Sequence, residues 1–318
     1  MSRYLIGRLG QMLAVLVLTS MALFLLIRLL PGDPALVYAG ENATDSVLAA
    51  IRREMGFDRP LPMQYAIWTG HVLGGDLGRS FVSDYPVTGL LAQRLPATMA
   101  LTAAALVLAV AVSIPMGTLA ALRRGSPADY LVTGLTGLGL AVPTFWLGFM
   151  LILIFAIMLH WLPSSGTTGL LRPGAYFSHL VLPAVTLAVP QGCALARFVK
   201  SALLDILNRD YVRTAKAKGV PGVRLLLRHE LRNALVSIAT VIGLNIGRLL
   251  GGAVIIESVF AWPGVDRLLL EAILNRDYAV VQGALLVFIL LFMAVNLITD
   301  LLYAVIDPRI RLGGGAAV

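Results

Sequence analysis

Long apolar runs, rather than alternation or amphipathic stripes, set the pattern of this chain. Six segments approach the roughly 20 apolar residues a helix needs to cross a bilayer. They are Leu9–Leu30, Ala97–Leu122, Leu131–Leu159, Leu180–Ala196, Ala234–Ile256 and Ala279–Ile306. The pattern predicts an all-α, polytopic integral membrane protein with six transmembrane helices. The first run follows Arg3 and Arg8, as a signal peptide would. It is too long for an h-region and no A-x-A site directly follows it, so a retained helix is expected.

The polar intervals divide the chain further. Residues 1–30 hold an N-terminal cytoplasmic end and the first helix, and 31–94 form an extracytoplasmic region with short helices. Residues 95–306 make a transmembrane core with a cytoplasmic loop at about 200–233, and 307–318 form a cytoplasmic tail. In the long outer loop, Asp45–Met55 places Val47, Leu48, Ile51 and Met55 on one face, with Gly56 where a C-cap glycine belongs. Pro62 is placed to start a second helix through Leu73, ended by Gly74 and Gly75. Val87–Leu95 reads as a third, leading into the second span. The third span contains Gly134, Gly137, Gly139 and Pro143. Its length implies tilt or a kink, and its glycines serve either helix packing or a hinge.

Charge sets the orientation. Only 13% of residues are charged and 58% are hydrophobic, far from a soluble domain's share of about a quarter charged. The stretch Ala196–Leu235 carries nine of the 25 Lys+Arg: Arg197, Lys200, Arg209, Arg213, Lys216, Lys218, Arg224, Arg228 and Arg232. The positive-inside rule keeps such a loop in the cytoplasm. Both termini then lie inside, with Arg3, Arg8, Arg123, Arg124, Arg309 and Arg311, while the short outer loops hold only Arg172, Arg267 and Arg276. The net charge of +8 is thus spent on loops flanking spans, and nucleic acid is not an expected partner.

Enzyme signatures are missing. The lysines are Lys200, Lys216 and Lys218, none after a glycine, so the phosphate-cradling G-x-x-x-x-G-K-[ST] loop cannot be built. His229-Glu230 begins an H-E-x-x-H zinc motif, but Asn233 occupies the second ligand position. No G-x-S-x-G elbow occurs. The single Cys193 lies in an apolar run and reads as a small buried hydrophobe. No catalytic, cofactor-binding or metal residue is expected.

Arg248 falls near the middle of the fifth span. A charge there costs roughly 2.5–3.5 kcal/mol on insertion scales, so it should face protein or a water-filled cavity. Asn245, three residues earlier, makes a polar stripe with it, and Gly251 and Gly252 permit close approach. These four are candidate pathway-lining residues; an interhelical ion pair is the other reading of Arg248. Glu257 is half a turn out of phase with it. Arg28, near the outer end of the first span, reads as a snorkelling structural residue.

Four stretches together resemble one family: LLPGDPA at Leu29–Ala35, DYVRTAKAKG…RHELRNAL at Asp210–Leu235, IIESVFAWPGVDRLLLEAILNRDYAVVQ at Ile255–Gln282, and DPRIR at Asp307–Arg311. In this order and spacing they are similar to the permease subunit of the dipeptide, oligopeptide and nickel branch of bacterial ABC importers, which also includes glutathione systems. The second stretch resembles the family's EAA loop, on which an ATPase subunit sits. The pattern E-A-A-x-x-x-G falls on Arg213, Thr214, Ala215 and Gly219, and only Ala215 and Gly219 keep their residue types. Arg213 stands where Glu is usual, and Ser237 where a proline commonly follows the loop. Gly219 has the freedom to turn one helix into the next in the left-handed conformation.

The resemblance implies a type I ABC importer transmembrane fold in the bacterial inner membrane. It implies a second homologous permease, two ATP-binding subunits that bind ATP and Mg, an extracytoplasmic solute-binding protein, and a membrane-lipid surround. Coupling would pass through Arg213, Thr214, Ala215, Lys218 and Gly219. The cargo would be di- or oligopeptides, with nickel chelates or glutathione as alternatives, and a carboxylate-bearing cargo fits Arg248 better than a bare cation. The reading from a different class, a self-sufficient secondary transporter, calls for an internal repeat and intramembrane carboxylates. Neither is seen away from the span ends.

Overall fold

The computed structural model describes residues 2–29, 44–54, 56, 58–168 and 173–306. The LLPGDPA stretch beyond Leu29, the DPRIR tail and the 307–318 segment therefore lie outside the described residues. The described chain is helical, with a lone bridge between Arg79 and Pro86. In order the helices are α1 (Ser2–Leu29), α2 (Asp45–Glu54), α3 (Leu61–Leu73), α4 (Val87–Leu122), α5 (Pro127–Ala141), α6 (Thr144–Leu151), α7 (Pro173–Leu207), α8 (Asp210–Ala217), α9 (Gly222–Leu225), α10 (Leu231–Val259), α11 (Val265–Leu274) and α12 (Tyr278–Ile306). Two π-helical segments, Ile152–Met158 and Leu226–Glu230, continue α6 and α9.

Four of these are long and apolar enough to span outright: α1 over Gly7–Leu29, α4, α7 over Gly174–Leu207, and α12 over Tyr278–Leu301. Two further helix pairs reach that length and hydropathy only together, and each is bent. Pro127–Ala141 meets Thr144–Met158 at 102°, and Ser237–Leu249 meets Gly251–Val259 at 52°. Counting each bent pair as one span gives the six expected.

The 102° break has a local cause. The residue before a proline is pushed out of the α region, and Val142 and Pro143 are both extended, at ψ 126° and 135°. The neighbouring glycines divide by role. A Cβ on Gly139 would collide with the Cys193 sulfur, so this glycine serves packing, whereas Gly134 and Gly137 meet open space. Cys193 is half-buried against that contact.

The described helices fall into two compact units, Met1–Thr98 with Pro263–Met293, and Met99–Trp262 with Ala294–Val318. In the first, Leu23 and Ile27 of α1 share a core with Val87, Leu91, Val265, Leu269, Tyr278 and Val281. The end of α1 therefore lies beside the start of α12. Phe24, Tyr65 and Trp68 form an aromatic cluster, and Arg28 stacks 5.1 Å from the Phe24 ring centroid. The expected short helices α2 and α3 are present, closed by Gly56 and Gly75 at φ +68° and +80°. Leu48 of α2 is buried while Val47 is exposed. The segment Val87–Leu95 is no separate helix: α4 runs on through Pro96.

In the second unit, α4 and α7 approach closely through small residues. A Cβ on Gly117 would run into Ala196 and Val199, and one on Gly192 would lie 3.4 Å from Ala109. Such contacts replace the hydrophobic drive that is absent between helices in lipid. α7 is helical through Pro183 and Pro190, and its 35 residues extend well beyond the predicted Leu180–Ala196.

Candidate functional site

The basic segment folds as a helix–turn–helix. Asp210 opens α8 with a carboxylate in the first turn, favourable at the positive end of the helix dipole. The other end is a Schellman cap: Val220 N–H donates to Ala215 O at 3.2 Å and Gly219 N–H to Lys216 O at 3.0 Å. This cap needs a left-handed residue at Gly219, which has φ +75°. Pro221 then starts α9, whose Leu225 N–H returns to Pro221 O at 2.8 Å.

One face of this motif is anchored and the other is open. Val212 is 0% exposed and Leu225 is 3%. Asn233 of α10 donates to Tyr211 Oη at 3.2 Å and to His229 O at 2.6 Å, tying the following helix to α8. The nearby core is formed by Ala121, Leu195, Val199, Leu203, Ala234 and Ile238. On the open side Arg213, Thr214, Lys218 and Gly219 are exposed and Ala215 is half-buried, with nothing within 4 Å of where a Gly219 Cβ would stand.

Of the nine basic residues, all but Lys200 are exposed. Lys200 turns inward from α7 and pairs with Asp129 Oδ1, with Thr133 Oγ1 at 3.2 Å. Asp129 also accepts from Gly125 N–H at 3.0 Å, and its own N–H donates to the Ser126 hydroxyl that caps α5. Sequence reasoning missed this clamp; the Ser126-x-x-Asp129 capping pattern was its only visible sign. Glu230 was missed as well. It is 2% exposed at the junction of the loop with α10. Burial pushes its carboxyl above the usual carboxylate range, against the pull of Lys216 and His229.

The four candidate pathway residues do not form one stripe. Asn245 is 4% exposed and faces the helical core. Arg248, Gly251 and Gly252 are exposed, and the two glycines meet open space. Residues i and i+3 are about 60° apart around a helix, and here the edge of the buried face falls between Asn245 and Arg248. The 52° bend of α10 lies between Leu249 and Gly251, directly beside Arg248. Glu257 is fully buried, so the carboxylate nearest in sequence faces away from exposed Arg248.

Helical throughout its described residues, with up to six apolar crossings and an anchored helix–turn–helix with an exposed basic face, the chain has the form of the membrane component of a transport system. The chain belongs to the family of binding-protein-dependent transport system inner membrane components, matched over residues 113–312, with the N-terminal component of that family matched over 1–102. It is a permease of the ABC importer type. A probable peptide ABC transporter permease of Sinorhizobium fredii is 43% identical over 312 residues, covering 98% of this chain and all of that one. The permease of a glutathione transport system from Salmonella paratyphi A is 40% identical over 311 residues, covering 98% of this chain and 99% of that one. Among solved structures, a chain of the inward-facing MetNI methionine ABC transporter superposes with a TM-score of 0.58 at 18% identity, over 69% of this chain and 96% of that one. At that identity the likeness concerns the fold, a type I importer transmembrane subunit.

Proposed function

We propose that this chain forms half of the translocation pathway of an importer for di- or oligopeptides, driven by separate ATPase subunits that dock on the α8–α9 motif. The observation that carries the coupling role is the Schellman-capped turn at Gly219. It holds Arg213, Thr214, Ala215 and Lys218 on a rigid, basic, outward face whose opposite side is buried through Val212. A displacement of α8 by an ATPase would be passed to α10 through the Asn233–Tyr211 contact and so rock the spans between inward- and outward-open states. Two ATPase chains, a second homologous permease and an extracytoplasmic binding protein complete the scheme. The loop and both termini lie in the cytoplasm, and ATP and Mg are bound by the ATPase chains, none by this one.

The peptide reading is supported by the names of the relatives and by exposed Arg248, a mid-span cation suited to a carboxylate. Glutathione, a peptide-like carboxylate, is the second reading, favoured by the Salmonella relative. The test is cysteine cross-linking from Thr214→Cys to a co-expressed ATPase, together with ATP-driven uptake of labelled dipeptide, glutathione and nickel chelate in proteoliposomes. Cross-linking with dipeptide uptake is expected. Uptake without ATP or any partner chain would instead establish a self-sufficient carrier.

A further inference from the structure

The first compact unit contains a cavity of about 590 Å³ that the transport reading does not use. Its size falls within the roughly 300–1,000 Å³ typical of small-ligand sites. Its wall includes Arg28, Arg59, Arg79, Trp68, Tyr278 and Gln282. Three guanidiniums thus stand against one lining carboxylate, Asp76, which lies 3.5 Å from His71. Arg79 is held by Asp84 at 2.8 Å. Among the described residues, no hydrogen bond or ion pair engages the Arg59 guanidinium, and the buried Gln282 Nε2 has no acceptor. Arg59 is exposed, so its guanidinium is open to a ligand oxygen entering the cavity.

The level of the cavity identifies the source of that oxygen. Ile27 and Arg28 are in the last turn of the α1 span, and Tyr278, Ala279 and Gln282 are in the first turns of the α12 span. The cavity therefore sits where two apolar spans end on the same side, at the depth of the lipid headgroups. Trp68 and Tyr278 are the residue types that settle at this depth. A solute would have to compete there with phospholipid phosphates at high local concentration.

We propose that this cavity binds the phosphate of an anionic phospholipid headgroup, gripped by Arg59 and framed by Arg28, Trp68 and Gln282. A zwitterionic choline head is disfavoured, because its quaternary ammonium would approach the guanidiniums. The bound lipid would pin the end of α1 to the start of α12.

The test uses the full-length chain, purified in detergent with the subunits that accompany it, and reads binding rather than transport. Its melting temperature is followed as phosphatidylglycerol, phosphatidylcholine or inorganic phosphate is added. Phosphatidylglycerol is expected to raise it by several degrees, at concentrations where the other two have little effect. Arg59→Gln and Gln282→Leu, made separately so that one misfolded variant does not decide the matter, should each weaken the half-saturating concentration at least threefold. Equal shifts from phosphatidylcholine would mean a non-selective lipid belt, and equal shifts from phosphate a free-anion site. Either result, or folded variants that respond like the wild type, overturns the proposal.

Discussion

Lys200 of α7 pairs with Asp129 in the first turn of α5, and the same carboxylate holds the Gly125 N–H. One acid thus closes the turn between α4 and α5 and clamps it to α7. The side chains are 25% and 9% exposed, so the pair is only partly screened by water. Lys200→Met and Asp129→Asn should each lower the melting temperature, and the double variant should lose clearly less than the sum, because neither charge is then stranded. Additive losses would show that the two groups act independently.

Gly219→Val should abolish ATP-driven uptake while the protein still inserts and assembles. A left-handed conformation costs a non-glycine residue roughly 1–2 kcal/mol, and β-branching adds to it. Gly219→Ala should fall in between, with uptake reduced severalfold. Uptake assays beside quantified complex yield check this, and wild-type uptake by an assembled Val variant would count against the docking role.

Arg248→Met should leave complex yield intact and cut uptake of zwitterionic peptide at least several-fold. The reason is that Arg248 is exposed beside the bend of α10 and faces away from buried Glu257. Low yield would indicate a structural ion pair with a partner chain, since stranding a buried charge typically costs about 3–5 kcal/mol.

Glu230 provides a pH signature. Its carboxyl is raised by burial, so the folded chain binds that proton more tightly than the unfolded one. Stability from this group is therefore fully present below the ordinary carboxylate value of about 4.3 and is lost as pH rises through the raised folded value. Comparing melting temperatures of wild type and Glu230→Gln across that window should show the wild type falling behind as pH increases. A constant difference would remove Glu230 as the cause.

Ala261 has φ +48° in a Schellman cap at the end of α10, where Trp262 N–H reaches Glu257 O at 2.8 Å and Ala261 N–H reaches Ser258 O at 3.3 Å. Glycine would relieve about 1–2 kcal/mol of left-handed strain and lose about 0.5–1 kcal/mol to unfolded-state entropy. Ala261→Gly should therefore leave stability unchanged or raise it by up to about 1.5 kcal/mol, measured by thermal unfolding in detergent. A lower melting temperature would contradict the cap.

The sequence by itself determined the six crossings, the helices α2 and α3 with their glycine stops, and the turn at Gly219. These depend on local quantities: the length of an apolar run, a proline's fixed φ and a glycine's access to positive φ. It also marked Pro143 as a point of distortion, though not that two extended residues there would turn the chain by 102°. Only the tertiary structure decided which side of each helix is covered. It turned Lys200 inward although its eight basic companions are exposed, and it buried Asn245 while exposing Arg248 one turn on. Helical phase relates residues to one another but not to their neighbours, so the edge of a buried face is set by the packing of α7, α10 and α5. The same holds for Asp129, Glu230 and the Arg59–Gln282 cavity, whose parts lie far apart in the chain and acquire their chemistry only when the helices bring them together.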